Sequence, residues 1–98
     1  MTIDELLKSA QTDHAPPAGL SAELQALWHT KADLWDTAHE IAQEIHSSMG
    51  SWIHALLHLV EGDVGNAGYW FRRSGRPTRT IVEIDALWHE IAGELLSE

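Results

Sequence analysis

Apolar residues recur at helical spacing along almost the whole chain, and almost nowhere at the alternating spacing of a strand. The clearest run is Ile84, Leu87, Trp88, Ile91, Ala92 and Leu95, which follows i, i+3, i+4, i+7, i+8, i+11. Only Thr80-Ile81-Val82 hints at a strand, and it is too short to need a sheet. The expected fold is therefore all-α. A length of 98 residues allows one domain and leaves no room for a second core.

Capping and breaking residues divide the pattern. Thr2 and Glu5 have the capping-box spacing ahead of Leu6 and Leu7, which predicts a short, frayed helix over 3–10. Pro16, Pro17 and Gly19 mark 11–19 as a linker. Ser21 caps a helix over 22–30 carrying Leu24, Leu27 and Trp28, and 31–33 breaks the chain. A helix over 34–46 follows, with Leu34, Ala38, Ile41, Ala42 and Ile45 on its apolar stripe. Ser51 is expected to cap the next, 52–60, whose stripe is Trp52, Ile53, Leu56, Leu57 and Val60. Gly62-Asp63 turns the chain into a helix over 64–74, with Val64, Ala67, Gly68 and Phe71 inward. Gly75 and Pro77 stop it, and Thr80 with Glu83 forms a second capping box before the C-terminal helix. The expectation is a compact bundle of about five helices: a short N-terminal helix and linker (1–20), then a bundle domain (21–98) of two helical hairpins plus a C-terminal helix.

The hairpins 21–46 and 51–75 echo each other. Each has a Trp in its first helix (Trp28, Trp52), an Asp at the turn (Asp33, Asp63) and a small residue early in the second (Ala38, Ala67). Such units resemble tetratricopeptide and Sel1-type hairpins, though the spacing is short of the roughly 34-residue repeat. Two units are too few for a solenoid.

The charge narrows the function classes. Fifteen Asp and Glu oppose six Lys and Arg, for a net charge of −9. Nucleic-acid binding rests on cationic neutralisation of phosphates, so neither nucleic acid nor an anionic membrane is an expected partner. No apolar run approaches the ~18 residues of a membrane span, and Met1-Thr2-Ile3-Asp4-Glu5 is unlike a signal peptide. A cytoplasmic location is expected. The absence of Cys excludes disulfides, thiol catalysis and cysteine zinc sites. Protonating all seven His would bring the charge to −2, so surface repulsion is expected to vary between about pH 5 and 7.

A resemblance covers 35–77. The segments Trp35-Asp36-Thr37-Ala38-His39, Ser51-Trp52-Ile53-His54-Ala55-Leu56-Leu57-His58 and Glu61-Gly62-Asp63-Val64-Gly65-Asn66-Ala67-Gly68-Tyr69-Trp70-Phe71-Arg72-Arg73 resemble a family of small uncharacterised bacterial helical proteins. Its pattern is W-D-x-A-H, then W-x-H-A-x-x-H, then E-G-D-x-x-N-A-x-Y-W-x-R-R. The resemblance implies a helical fold and a site location, and no activity. Leu59-Val60 departs from it, standing where a charged residue is expected after His58.

The chemistry-bearing residues fall into two groups. His54 and His58 share one face of their helix with Glu61, opposite the apolar stripe. Asp36, His39, Glu40 and Gln43 also lie off the stripe of theirs. If the two flanks converge, one cleft holds His39, His54, His58, Asp36 and Glu61, a set suited to zinc or nickel. The plainer alternative is surface histidines, or histidines satisfying inter-helix hydrogen bonds. H-x-x-x-H lacks the glutamate of H-E-x-x-H, so a metalloprotease is not indicated. Ser47, Ser48 and Ser51 lack the strand–turn–helix elbow of a serine nucleophile.

The second group surrounds the arginines. Arg72, Arg73, Arg76 and Arg79 either pair with acids such as Glu61, Asp63, Glu83 and Asp85 or form an anion-binding patch. Trp28, Trp52 and Trp88 lie on apolar stripes, whereas Trp35 and Trp70 stand at stripe edges where they either line a cleft or complete the core. The ligand-binding candidates are Trp35, Asp36, His39, Gln43, Asn66, Tyr69, Arg72 and Arg73; the metal candidates are His54, His58 and Glu61. The first functional expectation is a non-catalytic binding module for a small acidic ligand or a protein partner, including a second copy in a homodimer. The alternative is a small divalent-metal protein, hydrolytic or not.

Overall fold

Residues 1–97 are described by a computed structural model. Six α-helices follow in order: α1 (Ile3–Thr12), α2 (Ala22–Lys31), α3 (Trp35–Gln43), α4 (Ser48–Val60), α5 (Val64–Ser74) and α6 (Ile84–Leu96). A 3₁₀ turn, Ile81–Glu83, leads into α6. The all-α bundle is as expected, with six helices in place of five, because the N-terminal helix is a full member. Leu6 of α1 is completely buried, and α1 packs against α2 and α6. Among the described residues no helix is long and apolar enough to cross a membrane.

Helix α4 is the centre. It packs against α2, α3, α5 and α6, and every residue from Gly50 to Leu59 is buried. The stretch Trp52–Leu59 carries no charged side chain, and a helix apolar on nearly every side belongs inside. The expectation of a polar flank facing away from the core is therefore corrected: His54 and His58 are only 5% and 7% exposed. Conversely Leu34, Val60 and Val64, assigned to inward stripes, are exposed. Each adjoins a hairpin turn, where the chain leaves the packed surface.

The helix ends also shift. Helix α3 stops at Gln43, and α4 begins at Ser48 with Ser47 as its cap, Gly50 N–H donating to Ser47 Oγ at 3.1 Å. Ser51, expected as that cap, lies inside the first turns of α4. The two hairpins do repeat, in a different register from the one expected. Asp33 corresponds to Gly62, both with positive φ (65° and 83°), and Leu34 corresponds to Asp63. The bonds Leu34 N→His29 O and Asp63 N→His58 O close the two turns identically, each at 2.9 Å. Ala38 and Ala67 then occupy matching buried positions.

Three buried or half-buried indoles find acceptors. Trp88 Nε1 donates to Leu27 O (3.0 Å), Trp35 Nε1 to Leu57 O (2.7 Å) and Trp28 Nε1 to Ser9 Oγ (3.0 Å). The last bond ties α1 to α2. Ser9→Ala should leave the buried indole N–H unpaired and cost about 1–2 kcal/mol in urea denaturation. A loss within error of zero would mean that α1 is not docked through this contact.

Candidate metal centre

Three imidazoles meet between α3 and α4. One ring nitrogen from each of His39, His54 and His58 lies within 4.8 Å of the others. His39 Nε2 and His54 Nε2 are 2.9 Å apart, a hydrogen bond that requires one of them to carry the proton. The i, i+4 spacing puts His54 and His58 on adjacent turns with rings stacked at 4.9 Å. Helix α3 comes close enough to deliver His39 because Ala38, Ala42 and Ala55, all buried, are small.

Aromatic rings fix the imidazoles. The His54 ring lies nearly parallel to Trp70, with centroids 3.8 Å apart. His39 stacks on Trp35 at 4.7 Å, and Trp35 is itself anchored by its bond to Leu57. Glu61 Oε1 accepts from His58 Nδ1 at 2.7 Å. A carboxylate on Nδ1 places the proton there and leaves the Nε2 lone pair open, the tautomer a metal needs.

Burial sets the charge state of the cluster. Desolvation, followed by the neighbouring His39 and His58, pushes His54 down to about 4. His39 is also lowered, first by burial and then by His58, while Glu61, Asp36 and Glu40 partly oppose the shift. At neutral pH both rings are therefore uncharged, and the one that carries the shared Nε2 proton has to move it to Nδ1 before its Nε2 can ligate. Zinc held tetrahedrally at about 2.0–2.1 Å from each nitrogen needs ligand nitrogens about 3.3 Å apart. His39 and His54 would have to separate by a few tenths of an ångström to admit it, and any pair near the 4.8 Å limit of the set would have to close.

The expected site residues divide clearly. His39, His54 and His58 converge, with Trp35 and Glu61 against them. Glu61 touches His58 rather than joining the three-histidine group, although His58, Glu61 and Asp63 form a second close set. Asp36 is exposed and reaches His39 only through its charge. Asn66 lies at the start of α5, where its N–H and Nδ2 bond to the capping carboxylate of Asp63. Tyr69 is exposed and accepts from Arg73 Nη1 at 3.2 Å.

The arginines divide into ion-paired and unpaired side chains. Arg76 pairs with Glu94 and covers the Trp52 ring, and Arg79 bridges Glu83 and Glu90. Glu61, Asp63 and Asp85, expected as their partners, are engaged by His58, the α5 cap and Lys31. Among the described residues neither Arg72 nor Arg73 makes an ion pair. Arg72 is on the open surface, whereas Arg73 lines a cavity of about 400 Å³ next to the cluster, as do Gln43, His54 and Trp70. Trp70 was visible in the sequence only as a stripe-edge aromatic; its stacking on His54 depends on how α5 crosses α4. Among known protein families, curated proteins and solved structures, none matches this chain.

Proposed function

We propose that this protein is a helical module that binds one divalent metal ion, zinc or nickel, through His39, His54 and His58. The observation that carries the reading is the convergence of three imidazoles, two of them buried, with their ring nitrogens within 4.8 Å. Neutral nitrogen donors without thiolates suit zinc and nickel. Glu61 orients His58, the position that carboxylates take behind metal-bound imidazoles. Binding rather than turnover is the favoured role, because Glu61, the carboxylate in contact with the cluster, is already engaged by His58.

Untagged protein, stripped with chelator and given zinc, should retain one ion per chain by elemental analysis. His54→Ala should abolish retention. Glu61→Gln should weaken zinc about 10–100-fold in competition with a chromophoric chelator. Wild-type protein that holds neither zinc nor nickel would refute the reading.

A further inference from the structure

The cavity beside the cluster has a wall at odds with the rest of the molecule. In a chain of net charge −9, no carboxylate among the described residues lines it. Its polar side chains are instead cationic or hydrogen-bonding: Arg73, Gln43, His46, His54, and the hydroxyls of Ser47, Ser48 and Ser51. These serines belong to the N-terminal end of α4, a helix of 13 residues whose dipole presents partial positive charge there. Ser51 is the second, independent sign. It is only 9% exposed, it lines the cavity, and its hydroxyl makes no hydrogen bond to a described residue. Since no fully buried side-chain oxygen or nitrogen among the described residues lacks a partner, this hydroxyl is open to the cavity, where a ligand can bond to it.

Arg73 completes the arrangement. It is held from the side by Tyr69 Oη and by the face of Trp70, with its guanidinium carbon 5.4 Å from the indole centroid. Those contacts orient the fork without neutralising it, unlike the ion pairs of Arg76 and Arg79. Trp70, with Ala42 and Ile45, supplies the apolar part of the wall. A volume of about 400 Å³ is within the range of small-molecule sites.

We infer that this cavity is a binding site for a small organic carboxylate, its anionic end between Arg73 and the start of α4 and its apolar body against Trp70. The inference goes beyond the metal reading and does not depend on it.

Benzoate is a suitable probe and benzamide its uncharged counterpart. In EDTA, benzoate should quench tryptophan fluorescence saturably and raise the melting temperature, and benzamide should bind at least tenfold more weakly. Arg73→Gln should weaken benzoate at least tenfold. Arg72→Gln, one residue away and outside the cavity, should stay within twofold of wild type. Ser51→Ala should weaken it several-fold. Absence of saturable binding, equal binding of the two probes, or equal losses in the two arginine variants would overturn the assignment. Failure of zinc to bind would leave the titration in EDTA untouched, so the two readings fail separately.

Discussion

Gly50→Ala should lower stability by about 2 kcal/mol, an effect far larger than the single methyl suggests. A Cβ at this position would stand 2.0 Å from the Ile45 carbonyl oxygen and 2.8 Å from the Ile45 Cβ. The nearest obstacle is backbone, so no side-chain rotation relieves it. The link between α3 and α4 would have to lift off the first turn of α4, and overpacking of this kind costs about 1–3 kcal/mol or more. Helix propensity opposes the loss by only about 1 kcal/mol. For a chain of this length the melting temperature should fall by roughly 8–16 °C. Gly65, in α5, provides the comparison. Nothing lies within 4 Å of a Cβ built there, so Gly65→Ala should be neutral or stabilise by up to about 1 kcal/mol. Calorimetry of the two variants reads the difference. A Gly50→Ala melt close to wild type would show that the link is not held against α4. Since that link also sets how His39 meets His54, the same variant should bind zinc poorly.

Mild acid should destabilise the metal-free protein by about 3 kcal/mol between pH 6.5 and 4. The cause is the histidine cluster. In the folded chain His54 resists protonation down to about 4, whereas in the unfolded chain it takes its proton near the ordinary histidine value of 6.5. Between those values the unfolded state binds more protons, so stability is full above about 6.5 and falls as the pH drops towards 4. At about 1.4 kcal/mol per pH unit the full window is worth about 3 kcal/mol. The lowered His39 acts in the same direction. The lowered carboxylates Glu83, Asp85 and Glu94 lose their contribution at lower pH, so measurements at pH 5 and above isolate the histidines. Urea denaturation in EDTA at pH 7, 6 and 5 measures the slope. His54→Phe keeps an aromatic ring against Trp70 and should remove most of it. An unchanged slope in that variant would place the acid sensitivity elsewhere.

How much of the site was legible follows from the range of the interactions that make it. The neighbourhood of His54, His58 and Glu61 is written in i, i+3 and i+4 spacing, and the structure keeps it. The meeting of His39 with His54 is not, because it depends on the angle between α3 and α4 and on the close passage of Ile45 over Gly50. The burial of the histidines was the larger misreading. The flank of α4 opposite its apolar stripe was expected either to meet α3 across a cleft or to stay at the surface, and in the fold α3 and α5 bury it. The unbroken, uncharged run Trp52–Leu59 was the available sign, since a surface helix keeps a charged face.

Helix positions, the caps at Thr2, Ser21 and Asp63, and the stop at Gly75 were fixed by the chain alone, because each depends on hydrogen bonds and backbone preferences spanning about one turn. Which helix became the centre, which arginines found acids, and which serine came to line the cavity were decided by packing. Those outcomes join residues far apart in the chain, and only the assembled bundle brings them within a few ångströms. Arg76 and Arg73 lie three positions apart on the same stretch, and one meets Glu94 while the other faces a cavity without carboxylates.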